Sequence, residues 1–480
     1  MPVMPRSLVR ALLFPLLLVL PAHAAQGQAA SLTARQQALR AIYRELVEIN
    51  TVDSVGSVTK AAQAMAKRFR DAGFPARDIH LLVPPGKPTK GNLVVRYRGH
   101  GAGKPILLLA HLDVVAALRS DWTVDPFTLG ERDGYFYGRG TGDDKAMASI
   151  FVANLIAAKQ AGWVPDRDVI LALTADEEGG EANGVEYLIA NHRDLVDAAY
   201  AINEGGGGTL LDGRPIVNNV QAAEKVPVNF TVTARNAGGH SSVPRPDNAI
   251  YALVGGLGRL ARFQFPVQLN EVTRVFFERS ASLERPPLGA AMHAIVANPA
   301  DSAAAATLSS VPRYNSILRT TCVATRLAGG HAYNALPQTA SANVNCRIVP
   351  TQSLEDVRGM IAQALGDTSL HITLTVPLHE KFGVAPSPLV PELMDPVAAI
   401  TQQVFGASTA VIPFMSTGAT DGRFLRAAGI PTYGVSGIFS DPADNRAHGR
   451  DERMLVKSLY DGQEFLRRLM ERLATVAPRA

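Results

Sequence analysis

The chain has 480 residues, 47% of them hydrophobic and 19% charged, a balance that supports large packed cores and excludes a disordered or coiled-coil protein. Its formal net charge is +4 and no basic block stands out, so no nucleic-acid partner is expected. Two cysteines exclude a disulfide-framework module and a Cys-rich zinc knuckle, so a metal site must be built from His, Asp and Glu.

Residues 1–24 read as a cleavable signal peptide: Arg6 and Arg10 precede the apolar run Ala11–Leu20, and Ala22-His23-Ala24 is a small-x-small cleavage site after Ala24. The run is too short to span a bilayer, which takes about 20 apolar residues. The expected product is secreted or periplasmic, with no stable membrane anchor. From Ala34 onward, short apolar strands alternate with helices: strands at Leu93–Tyr97, Pro105–Ala110, Val169–Thr174 and Ala198–Ile202, helices at Ala146–Ala161 and Gly184–Val196. Near-continuous apolar strands alternating with helices predict an α/β fold whose mixed, mostly parallel sheet is covered by helices on both faces.

The middle of the chain changes style. A strand at Val226–Ala234, a helix at Asn248–Phe263, strands at Arg319–Leu327 and Thr339–Val349, a helix at Leu354–Leu365 and a strand at Leu370–Val376 spell β-α-β-β-α-β. An Ala-, Pro- and Ser-rich stretch interrupts this order. If the two central strands form a hairpin, Cys322 and Cys346 fall nearly opposite each other, close enough for a disulfide that an exported protein permits. The first style then resumes with strands at Val411–Phe414 and Pro431–Val435 and a long helix at Arg453–Ala474. The expected organisation is a signal peptide (1–24), a catalytic domain in two parts (25–224 and 386–480), and between them a smaller α+β domain (225–385) carrying an insertion at about 264–318.

Acids and histidines gather at predicted strand ends. His111-Leu112-Asp113 follows one strand, and Asp143-Asp144 precedes the helix at Ala146. Glu177-Glu178 follows Val169–Thr174, Glu204 precedes four glycines, and His448 lies in a late loop. The C-terminal edge of a parallel sheet is where ligands bind. Several acids meeting in one crevice repel one another unless cations are present, and His with carboxylates suits Zn2+ or a similar divalent ion. Two ions sharing a carboxylate, with a nearby carboxylate as general base, predict a metal-assisted hydrolase.

Together these motifs resemble the M20 family of co-catalytic metallopeptidases, which includes carboxypeptidases, aminoacylases and peptide deacylases, and in particular its carboxypeptidase S and N-acyl amino acid hydrolase branch. The resemblance implies two Zn2+ ions, with Co2+ or Mn2+ as substitutes. It implies that His111 and Glu204 bind one ion, Glu178 and His448 the other, and that Asp143 bridges both. Asp113 would orient His111, and Glu177 would be the general base and proton shuttle. The middle domain resembles the family's lid. Gly238-Gly239-His240-Ser241-Ser242 matches an element whose histidine, here His240, stabilises the oxyanion. Asn334-Ala335-Leu336-Pro337 and Asn345-Cys346-Arg347 match lid motifs in which Arg347 and Asn334 would hold a substrate carboxylate. The loop Ser416–Asp421, with Gly418 and Thr420, matches a substrate loop. Ala146 follows Lys145 where many members carry glycine.

The expected activity is cleavage of a peptide or N-acyl amide bond beside a free carboxylate, with a small peptide or N-acyl amino acid as substrate. Lid-to-lid homodimers occur in the family. Two alternatives stay open: an aminopeptidase or dipeptidase of the same architecture, and a non-catalytic periplasmic metal-dependent binding protein.

Overall fold

The computed structural model describes residues 31–376 and 384–476; the signal peptide read at 1–24 lies outside them. A ten-stranded sheet organises the larger part. At its centre Ile106–His111 pairs in parallel with Val169–Thr174 on one side and Tyr200–Asn203 on the other, and Thr432–Gly434 continues in parallel beside Tyr200–Asn203. Antiparallel strands Asn92–Tyr97 and Ile79–Leu82 close one side. On the other side Arg214–Glu224 pairs in parallel with Ala410–Ser416.

The central strands are buried at every position, and alternate side chains enter different cores. Leu93, Val95, Leu108 and Leu171 join the helices Ala34–Glu48, Val58–Asp71 and Lys145–Gln160 on one face. Val94, Leu107, Leu109 and Ile170 join Val185, Leu188 and Leu425 on the other. With both faces covered, charged side chains find room only at the ends of these central strands. Among the described residues no helix is long and apolar enough to cross a membrane.

A second, antiparallel sheet of four strands is ordered Thr321–Gly329, Thr339–Ile348, Val226–Arg235, His371–Leu374. The helices Ala249–Leu260 and Leu354–Leu365 pack on one face, around Val228, Phe230, Val344 and Ile361. The other face is polar, and Asn229 Oδ1 accepts from both Asn343 Nδ2 and Asn345 Nδ2 at 3.0 Å. Cys322 stands opposite Cys346 in the register, and the two form a disulfide.

Several details differ from the sequence reading. The helix expected over Gly184–Val196 is two, Gly184–Asn191 and Arg193–Val196, divided where His192 leaves the helical region. The last helix begins at Val456, because Arg453–Leu455 pairs as a strand with Tyr135–Tyr137. Arg214–Glu224 carried no strand signal because polar Asn218 and Gln221 interrupt its apolar residues. Both are buried, and Asn218 Nδ2 donates to Thr401 Oγ1 at 2.9 Å. The stretch after Phe263 folds into four helices between Glu271 and Leu318. They pack on Val217 and Ile412 of the large sheet, and Arg279 Nη1 donates to the Val411 carbonyl at 2.9 Å. They thereby cover a sheet edge that would otherwise present unpaired backbone groups.

Candidate metal centre and active site

The C-terminal ends of three adjacent strands bring the predicted residues together. His111 is the last residue of its strand and is 2% exposed. Glu177 and Glu178 follow Val169–Thr174 on a turn that Asp176 opens with a left-handed φ of 59°. Such a φ is rare for a residue with a side chain, and its surroundings enforce it. The buried Asp176 carboxylate takes Lys90 Nζ at 2.5 Å and the Ala182 amide at 3.2 Å, while Asn183 Nδ2 donates to the Asp176 carbonyl at 3.1 Å. Glu204 follows Tyr200–Asn203, and Asp143 precedes the helix Lys145–Gln160, joined to Asp144 by a cis peptide.

Asp143 sits between two histidines: Oδ1 is 3.0 Å from His111 Nε2 and Oδ2 is 3.2 Å from His448 Nε2. His448 Nε2 is also 2.9 Å from Glu178 Oε2. Two groups of potential ligand atoms result, His111–Asp143–Glu178 and His111–Glu177–Glu204, each within 4.8 Å. Asp113 differs from expectation in how it meets the imidazole. His111 Nδ1 is 3.0 Å from the Asp113 carbonyl and 3.6 Å from Oδ1, and Asp113 Oδ2 accepts from the Glu178 amide at 3.0 Å. Asp113 thus ties the histidine to the Glu178 turn.

The electrostatics suit divalent cations. Burial, then Asp421, Glu178 and Asp113, push Glu177 up to about 8. Burial, then Asp143 and Asp113, push Glu178 up to about 7, and burial with Asp143 and Glu177 raises Glu204 well above the usual range. Burial alone would lower the His111 pKa, but Asp113 and Asp143 at its ring nitrogens raise it. Asp113 Oδ1 and Asp144 Oδ2 are buried without a hydrogen-bond partner. Carboxylates this crowded lose their negative charge or share cations. Oxygen and imidazole donors in this number fit Zn2+ and its neighbours.

Comparison with known proteins gives this constellation a lineage. Residues 107–472, well over half of the chain, match Peptidase family M20/M25/M40. The chain belongs to that family. It is 29% identical over 385 residues to the human protein named N-fatty-acyl-amino acid synthase/hydrolase PM20D1, covering 78% of this chain and 74% of that one. It is 26% identical over 427 residues to "Probable carboxypeptidase S-like 2" of Dictyostelium discoideum, covering 84% and 78%. Its fold matches an M20 family metallo-carboxypeptidase, Sso-CP2 from Sulfolobus solfataricus, with a TM-score of 0.65 at 16% identity over 92% of this chain and 100% of that one. This M20 chain is therefore a hydrolase of the metallopeptidase and amidohydrolase type.

Of the remaining predicted residues Thr420 borders the M20 carboxylate cluster, its hydroxyl accepting from Nδ2 of Asn203, the neighbour of Glu204, at 3.3 Å; the others stand on other elements. His240 is exposed on a two-stranded ribbon with Ala335–Leu336, its Nδ1 2.7 Å from Ser242 Oγ. Asn334 is exposed in the adjoining turn, where its carbonyl accepts from the Ser241 amide at 3.0 Å. Arg347 stands on the polar face of the second sheet; burial, then the nearby Arg423, lowers its pKa. Among the described residues no acid pairs with it. Gly418 is exposed, whereas Thr420 is buried: its amide donates to Glu224 Oε2 at 2.6 Å and its hydroxyl accepts from the Gly422 amide at 3.1 Å.

Beside the cluster opens a cavity of about 400 Å³, within the usual range of roughly 300–1,000 Å³ for small-molecule sites. Its lining joins Asp143, Asp144 and Glu204 to apolar Met147, Leu210, Ile438, Phe439 and Met454 and to polar Ser436, Asn445 and Arg446. Asp444 at its rim is neutralised by Arg446 and Arg453 at 2.8 and 2.6 Å. Sequence reasoning passed over Lys90, Arg139 and Glu452. Arg450-Asp451-Glu452-Arg453 reads as a solvated charge run, and only the tertiary structure makes Glu452 2% exposed.

Proposed function

We propose that this M20 chain is an exported di-zinc hydrolase cleaving the amide bond of an N-acyl amino acid or peptide beside a free carboxylate. The observation that carries the reading is Asp143, whose two oxygens face two different histidines, the disposition expected of a carboxylate bridging two ions. His111 and Glu204 would hold one ion, Glu178 and His448 the other. When bound, the ions supply Lewis acidity, polarising the scissile carbonyl and making a water nucleophilic near neutral pH.

The chain's own groups handle protons and orientation. Glu177, next to Glu178, accepts a proton from the attacking water. As the water oxygen bonds to the carbonyl carbon and the C–N bond breaks, Glu177 returns that proton to the leaving nitrogen. Asp113 holds His111 through its carbonyl and the Glu178 amide through its carboxylate, which keeps the donors oriented. Arg347 receives the substrate carboxylate, for which a guanidinium fork is suited; Asn334 precedes Thr339, which pairs with Arg235 at the end of the second sheet opposite Arg347, and takes no part in that contact. His240 donates to the carbonyl oxygen. The apolar part of the cavity lining, Met147, Leu210, Ile438, Phe439 and Met454, would accept an aliphatic acyl group on the other side of the bond, in keeping with the acyl substrates in the human relative's name.

The test compares N-acyl amino acids carrying a free carboxylate with their C-terminal amides, before and after metal removal. Expected are two ions per chain, loss of turnover with chelator and recovery with zinc. The amides should be at least about tenfold poorer substrates, as loss of one charge-assisted contact of 1.5–3 kcal/mol requires. Chelator-insensitive cleavage would end the metal assignment, and a preference for substrates with a free amine would favour the aminopeptidase reading.

A further inference from the structure

Glu452 makes more contacts than a loop carboxylate needs. It is buried, and both oxygens are filled from one side: Oε1 accepts from the amides of Gly142 at 2.7 Å and Asp143 at 3.2 Å. Oε2 accepts from the Gly140 amide at 3.2 Å and from Arg139 Nη1 at 2.7 Å. Successive amides converging on one anion form a nest, here wrapped around a protein carboxylate. Gly140 is required in it: its φ is 81°, and a Cβ would come within 2.9 Å of both Lys145 and Val114 side-chain atoms. Arg139 is buried too, with its guanidinium 5.0 Å from the Trp122 ring centroid. Arg139 Nη2 reaches the Ala116 carbonyl at 3.3 Å and the His448 carbonyl at 3.5 Å.

The pair thus touches both loops that supply the neighbours of Glu178. Glu452 grips the backbone of Asp143, and Arg139 approaches the backbone of His448. His448 itself has a left-handed φ of 62°, as does Asp451 with 52°, and Asp451 Oδ1 is fixed by the Thr123 amide at 2.9 Å. A loop holding two such residues keeps its shape only where its surroundings fix it.

From this geometry we infer that Glu452 and Arg139 form a positioning pair that sets the spacing of Asp143 and His448, and so the affinity of the ion these two share with Glu178. The inference rests on the two-ion reading above. Both residues act through the backbone of Asp143 and His448.

The test is metal binding by Glu452→Gln, which keeps the volume but turns a carboxamide NH2 toward an amide or guanidinium donor. Competition against a chelator and elemental analysis, well below the melting temperature, read each ion separately. The expected result is affinity for the ion shared with Glu178 and His448 weakened by about 10–100-fold, the range for losing a group that supports a metal ligand, with a smaller loss for the other, which Asp143 also serves. A merely structural role would lower the melting temperature without this selective loss. Arg139→Lys, which keeps the charge but not the fork, carries the same reading if Glu452→Gln does not fold. A folded variant binding both ions as tightly as the parent overturns the inference. A parent chain that binds no ions overturns the two-ion reading itself.

Discussion

The two sheets of this protein use their polar residues in opposite ways. In the large sheet, strands such as Ile106–His111 and Val169–Thr174 are buried along their whole length, so charge is confined to their ends, where His111, Glu177, Glu178 and Glu204 crowd together. In the four-stranded sheet, Thr339–Ile348 alternates between buried and half-buried residues, which gives one face to a core and leaves the other lined with Asn343, Asn345 and Arg347. The enclosed sheet concentrates charge into a site that demands cations. The half-open one spreads neutral amides and a cation that can meet an anionic ligand. On the proposed function the contrast is between chemistry and recognition, and it can be broken at either end.

The largest expected effect is at the enclosed sheet. Glu177→Gln should lower kcat by about 10²–10⁴-fold, the usual contribution of a positioned general base, while the protein still binds its metal. Retained turnover would remove Glu177 from the proton path. At the open face the effect should be smaller and of another kind: Arg347→Met should raise KM for free-carboxylate substrates by about 10–100-fold, as loss of a charge-assisted contact worth 1.5–3 kcal/mol implies, with little change for the C-terminal amides. Equal losses on both substrates would make Arg347 structural.

The smallest effect concerns stability, and it sharpens the comparison because it belongs to the cluster alone. Glu177 and Glu178 are raised to about 8 and about 7 from an ordinary 4.5, and His448 is raised to about 9, chiefly by Asp143. In metal-stripped protein the folded state therefore binds more protons than the unfolded one. This contribution to stability is present at low pH and is lost as pH rises through about 7 to 9. The melting temperature of the stripped protein should fall by a few degrees between pH 6 and pH 9, at roughly 1 °C per kcal/mol in a chain of this length. Added zinc should restore it. A flat or rising profile without metal would mean that the carboxylates are compensated by something else.

The positions of the strands carrying His111 and Glu177 were legible because a short, continuous apolar run bounded by polar turns is best buried as an inner strand of a covered sheet. The register of Cys322 and Cys346 was legible because their spacing matches a hairpin, and the structure joins them. Arg214–Glu224 was not, because Asn218 and Gln221 look like loop residues until the fold buries them and Thr401 and Glu224 accept from their amide nitrogens. The helices after Glu271 were hidden by a composition of Ala, Pro and Ser that fits helix and loop equally well. What the sequence by itself determined is the alternation of elements and the residue types at strand ends, since hydrophobic periodicity and local chemistry are written along the chain. What only the tertiary structure decided is which groups meet: Asp143 between His111 and His448, and Glu452 inside the glycine nest. Contacts across some three hundred residues depend on how the sheet is ordered and how the loops close, and no local pattern encodes them.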